Sequence, residues 1–141
     1  MPMLLQDTRG ELWFRPNPKV ALFELQRLIT QRALRTTLRL GVRDATHPTK
    51  GYTPGQTVTL RIYDSQGEQQ HVTRVAVTAV TVRRLNELTP QDLVGCEPTL
   101  RTWRDAQVML SSFERHGVPP DAPVTVVSFT YPEQQPTEQI S

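Results

Sequence analysis

Arginine and threonine gather in one short run, Arg35-Thr-Thr-Leu-Arg-Leu-Gly-Val-Arg43. With a period of two it is a strand with unlike faces. Leu38, Leu40 and Val42 share one face; Arg35, Thr37, Arg39 and Arg43 share the other. Guanidiniums fork onto phosphate or carboxylate oxygens, and a hydroxyl beside them can donate to a phosphate or a base edge. The chemistry predicted is therefore capture of an anion. Arg39 could instead pair with an internal carboxylate such as Glu97 and tie the strand to its neighbour. Arg35 and Arg43 could simply be solvated at the strand ends.

Two residues elsewhere could join this site. Tyr52 sits in a Pro/Gly-rich loop, where it could stack on a base or anchor the loop. Glu97 could serve as a general base if a substrate lay between it and Thr37. Near a helix start it could equally complement the helix dipole.

The elements that must hold these residues can be read along the chain. Residues 1–16 carry Leu4, Leu5, Trp13 and Phe14 and read as an extended arm or short strand on the core. Asn17-Pro18 reads as a cap with proline at the first helical position. Leu22, Leu25, Leu28 and Ile29 then predict a helix to about Ala33. The arginine strand spans about 35–43. Pro48, Gly51, Pro54 and Gly55 mark a loop. Val58, Leu60 and Ile62 alternate in a strand over 57–63. Asp64-Ser-Gln-Gly67 turns it into a second strand over about 70–82, giving an antiparallel hairpin. Thr89-Pro-Gln-Asp92 predicts a short capped helix ending near Gly95. Thr99 could cap a longer helix with Leu100, Trp103, Ala106, Leu110 and Phe113 as its buried stripe, stopped by His116-Gly117 and Pro119-Pro120. A last strand runs over 123–131, and the Gln/Pro-rich segment 132–141 reads as a disordered tail.

Composition narrows the classes. The chain has 141 residues, 37% hydrophobic and 21% charged, which suits one domain. No apolar run approaches the roughly 20 residues of a membrane span. The start lacks the pattern of a secretory signal, so a cytoplasmic location is expected. Cys96 is the single cysteine and reads as a small apolar residue. The three histidines lie far apart, so neither a metal nor a cofactor is expected. Among 16 basic residues only Lys19 and Lys50 are lysines. GC-rich codons alone could produce that bias. The clustering of Arg27, Arg32, Arg35, Arg39 and Arg43 is more specific, because acids outnumber bases over the rest of the chain.

Over about residues 22–131 the chain resembles the ASCH domain, a branch of the PUA-like β-barrels. That family carries a Gly-x-Lys-x-x-Thr/Glu-x-Arg motif after its first helix. Here Thr37 and Arg39 match the Thr/Glu and arginine positions. Tyr52-Thr-Pro-Gly-Gln-Thr-Val58 is similar to the family's loop before a strand. Leu85-Asn-Glu-Leu-Thr-Pro-Gln-Asp92 resembles the opening of its helical insert, and Val124-Thr-Val-Val-Ser-Phe129 its closing strand. Leu34 stands at the lysine position and Arg32 at the glycine position, with Arg35 one residue from the lysine. The resemblance implies an α+β fold: a small, mainly antiparallel PUA-like barrel flanked by two to three helices. It implies an arm over 1–16, the domain over 17–131, and a tail over 132–141.

The leading expectation is an RNA- or nucleotide-binding module with phosphates on Arg35, Arg39 and Arg43, Thr37 beside them, and a base near Tyr52. A hydrolase acting on a modified nucleoside or on RNA, using Thr37 and Glu97, is the alternative. Arginine cannot replace the family's lysine as a base because it stays protonated. An interaction module with a degenerate pocket is the third reading.

Overall fold

The computed structural model describes residues 10–16, 20–47, 51–114 and 116–132. The residues 1–9, Asn17-Pro18, Pro48 and the tail beyond 132, to which the sequence assigned an arm, a cap, a loop and disorder, lie outside the described residues.

Among the described residues, five strands form one sheet: β1 (Glu11–Phe14), β2 (Thr36–Leu40), β3 (Thr57–Tyr63), β4 (Gln69–Arg84) and β5 (Pro123–Thr130). Two α-helices flank it, α1 (Leu22–Thr30) and α2 (Trp103–Ser111), with short 3-10 turns at Leu85–Glu87 and Pro90–Leu93. The strand order is β1-β3-β4-β5-β2. All pairs are antiparallel except β1 with β3, which is parallel. The architecture is thus α+β, a mixed sheet curled into a half-barrel.

The β3–β4 hairpin closes where Asp64 and Gly67 predict it. The Asp64 carboxylate accepts from the N–H groups of Gln66 and Glu68, both at 2.9 Å, and Gly67 takes the left-handed φ of 85°. β4 is long enough to serve two partners. Its first half pairs with β3 and its second with β5, and the register shifts between Val77 and Ala79. Such a bulge bends a strand and increases its twist, which helps the sheet curl.

β5 is apolar on both faces and divides the interior. Val127 and Phe129 pack with Leu25, Leu28 and Ile29 of α1 and with Leu60, Ile62 and Val75. Val124 and Val126 pack with Leu38, Leu85, Leu93, Ala106 and Leu110 beneath α2. Each such side chain, fully buried, contributes on the order of 1.5–3 kcal/mol.

Several boundaries differ from the sequence reading for local reasons. The described α1 begins at Leu22, with Ala21 before it supplying no side-chain cap. It stops at Thr30 because Arg32 adopts a left-handed φ of 59°, while the N–H groups of Ala33 and Leu34 return to the Leu28 carbonyl. β2 is shorter than the predicted 35–43, since Gly41, at φ 91°, turns the chain out of the strand. Val42 is consequently 42% exposed rather than sharing the apolar face of Leu38 and Leu40. Thr89 caps its turn reciprocally with Asp92 as predicted. Thr102, not Thr99, caps α2, because Asp105 lies three residues after it and completes a capping box.

Candidate ligand cleft at the sheet seam

The curl of the sheet brings its two edge strands, β1 and β2, toward each other. Arg39 spans the gap. Its Nη1 donates to Thr37 Oγ1 at 2.9 Å and to the Leu38 carbonyl at 3.0 Å, and its Nη2 donates to the Trp13 carbonyl across the seam at 2.8 Å. Its guanidinium also lies 4.8 Å over the Phe14 ring. A planar fork suits this task, since one side chain serves two strands at fixed angles.

A cleft of about 160 Å³ opens at this seam. β2 and the turn after it supply Thr37, Arg39 and Arg43; β1 and its continuation supply Trp13, Phe14 and Arg15. The far wall is the end of α2, with Met109, Leu110, Phe113 and Glu114, and Glu97 enters from the loop before that helix. Thr37 is only 7% exposed and forms part of the floor. Arg15, also on the lining, holds its guanidinium 4.7 Å over the Phe113 ring.

Buried Thr125 positions Arg43. Its hydroxyl donates to the Gly41 carbonyl at 2.7 Å and accepts the Arg43 backbone N–H at 2.8 Å. The hydroxyl thus holds the turn that aims Arg43 at the cleft. Glu97 accepts from Thr99 Oγ1 at 3.3 Å, which orients its carboxylate. Cys96 next to it is no nucleophile. Burial, reinforced by the Glu97 charge and only partly offset by Arg39, pushes its thiol up to about 12.

The structure brings together Thr37, Arg39, Arg43 and Glu97 of the residues singled out from the sequence. It does not bring Arg35 or Tyr52 to them. Arg35 is exposed ahead of β2, its backbone bonded to Gly95 and Phe129. Tyr52 is 1% exposed, with its hydroxyl on the Glu11 carbonyl at 2.8 Å and its N–H on the Arg43 carbonyl, the arrangement of a loop anchor. Sequence reasoning missed Trp13, Phe14, Arg15, Phe113 and Glu114 as cleft residues. Trp13 and Phe14 read as an arm on the core, and Phe113 as the last member of a buried stripe. Their one sequence signal is that aromatic residues sit at the ends of elements rather than within them.

Solved structures match the fold of this chain. An ASCH domain from Lactobacillus crispatus JV V101 aligns with a TM-score of 0.56 at 12% identity, covering 84% of this chain and 78% of that one. The fold is ASCH-like. A protein of Enterococcus faecalis V583, assigned to the family DUF984, aligns with a TM-score of 0.54 at 15% identity over 89% of this chain and 82% of its own. No family model matches the chain, and no curated protein does. The likeness therefore lies in the fold and confirms the resemblance at that level. Among the described residues no helix is long and apolar enough to cross a membrane.

The cleft of this ASCH-like half-barrel combines three guanidiniums, two carboxylates, one hydroxyl and a wall of aromatic and aliphatic groups. That mixture suits a ligand with a planar apolar body and polar edges.

Proposed function

We propose that the protein binds RNA or a nucleotide through the seam cleft. The observation that carries this reading is the convergence of Thr37, Arg39 and Arg43 with the rings of Phe14 and Phe113 on one hollow. Guanidiniums and a hydroxyl serve phosphate and base edges, and rings serve base faces. The ASCH-like fold supports the same reading.

Within that site the arginines divide their work. Arg39 is committed to the Trp13 and Leu38 carbonyls and to Thr37, so it shapes the hollow and fixes the hydroxyl. Arg43 also lines the hollow and serves as the probe of ligand contact. Binding of a short single-stranded RNA, titrated against salt, tests the proposal. The native chain is expected to bind with a log–log salt slope of about −0.7 per phosphate neutralised. Arg43→Ala should weaken binding several-fold and flatten the slope by about one such unit. Equal binding by the two proteins would remove the site.

A hydrolase reading has one observation in its favour: Glu97 and Thr37 line the same cleft. Against it, Leu34, at the family's lysine position, is 2% exposed and packed in the core beneath α1. Hydrolysis of a modified nucleoside or of RNA, abolished by Glu97→Gln, would establish that activity. Intact substrate after prolonged incubation with the native protein would exclude it.

A further inference from the structure

We propose that the cleft receives a single nucleobase, stacked on the Phe113 ring in the place occupied by the Arg15 guanidinium, while the phosphates stay outside, one of them against Arg43. This rests on the nucleic-acid reading above and adds which part of the ligand enters and which residue receives it.

Three observations point to this division. The first is charge. Glu97 and Glu114 share the lining with Arg15, Arg39 and Arg43. A phosphate inside would lie against carboxylates as well as guanidiniums, whereas an uncharged base meets no such opposition. The second is size. About 160 Å³ falls well below the roughly 300–1,000 Å³ of pockets for drug-sized ligands. It suits one ring system rather than a whole nucleotide. The third is the clasp. The Arg15 guanidinium lies 4.7 Å over the Phe113 ring on the cleft lining, and a guanidinium, like a base, is a planar group that stacks on aromatic faces. Base stacking on a ring is at least comparable with a partly exposed guanidinium contact. A base can therefore displace Arg15, which then stands at the rim with its charge available to a phosphate.

The floor completes the recognition. Thr37 Oγ1 accepts from Arg39, which turns the hydroxyl's own proton away from that guanidinium. It can then donate to an acceptor on the edge of the base.

The experiment compares three probes on the full chain: a short oligouridylate, an abasic ribose-phosphate strand of the same length, and uridine 5′-monophosphate. The native protein should bind the oligouridylate about tenfold more tightly than the abasic strand. Phe113→Leu should erase that preference and leave the salt slope unchanged. Phe113→Tyr should preserve it, and Arg15→Ala should not weaken it. The mononucleotide should show the same dependence on Phe113 at lower affinity, because it lacks the flanking phosphates. Equal binding of base-bearing and abasic strands by the native protein would overturn the inference, with no variant needed. So would undiminished preference in a folded Phe113→Leu protein. In either case salt-dependent binding would survive as the broader reading. Failure of the native chain to bind any of the three would overturn both.

Discussion

Beneath α1 the sheet is sealed. Leu25, Leu28 and Ile29 close onto Leu60, Val75 and Phe129, each 5% exposed or less. Beneath α2 the same strand β5 offers Val124 and Val126 to a second apolar cluster, but its roof is looser. Trp103 and Met109 only partly cover that cluster, and Phe113 is half-buried beside it. The seam cleft opens where the two clusters meet at the sheet edge, with Leu25, Thr37 and Arg39 on the α1 side and Leu38, Leu40 and Met109 on the α2 side. The difference follows from what each helix must cover. α1 lies over paired strands and, among the described residues, lends the cleft only Leu25. The end of α2 reaches past the sheet edge, where β1 and β2 approach without pairing and Arg39 bridges them. One region is packed throughout; the other borders a hollow of about 160 Å³.

Two aromatic truncations give the largest expected contrast. Phe129→Ala should cost about 3–5 kcal/mol, since Phe129 is fully enclosed. Phe113→Ala should cost about half as much or less, because its ring already borders a hollow. Urea denaturation of both proteins checks this, and equal losses would abolish the distinction between the sealed core and the open one.

Arg39→Ala comes next, at about 2–4 kcal/mol, because it leaves the Trp13 and Leu38 carbonyls without a charged donor and releases the seam. Arg39→Lys should recover only part of the loss, since an ammonium cannot fork between two strands. Full recovery by lysine would show that charge alone, rather than the bridge, holds the edges.

Thr125→Val keeps the shape and removes both hydroxyl bonds to the turn after β2. A loss of about 1–3 kcal/mol is expected, with weaker RNA binding through a misplaced Arg43. Stability loss without any change in binding would separate the turn from the cleft.

The smallest effect, with the opposite sign, belongs to the sealed side. Arg32→Gly should stabilise the protein by up to about 1 kcal/mol, because glycine adopts the left-handed φ of 59° without strain. A melting temperature that falls would mean that the Arg32 side chain contributes more than its backbone costs.

Much of the fold was legible because it is local. The period-two run of Val58, Leu60 and Ile62 and the Asp64–Gly67 turn specify the hairpin within a few residues. The Thr89–Asp92 box does the same for its turn. The box at Thr102 was equally present in the sequence, since Asp105 follows by three, yet Thr99 was preferred. The site was legible in part. Alternation placed Thr37 and Arg39 on one face, and register pairs them with Val127 and Thr125 on the same face of β5. Alternation could not place Arg35, which precedes the strand, nor Val42 and Arg43, because the strand ends at Leu40 and Gly41 redirects the chain. Nor could it place Tyr52, whose hydroxyl finds a carbonyl 41 residues away.

What the sequence determined by itself was the set of elements and the two-sided strand that carries Thr37 and Arg39. Periodicity, capping and turn chemistry act over a few residues and need no distant partner. Only the tertiary structure decided that β1 would pair in parallel with β3, that the sheet would curl until its edges met, and that Arg39 would spend its guanidinium on the seam. It also drew Arg15 and Phe113, nearly a hundred residues apart, into contact on one cleft lining. Those outcomes depend on which surfaces meet when both cores close, and that is set by packing across the whole chain.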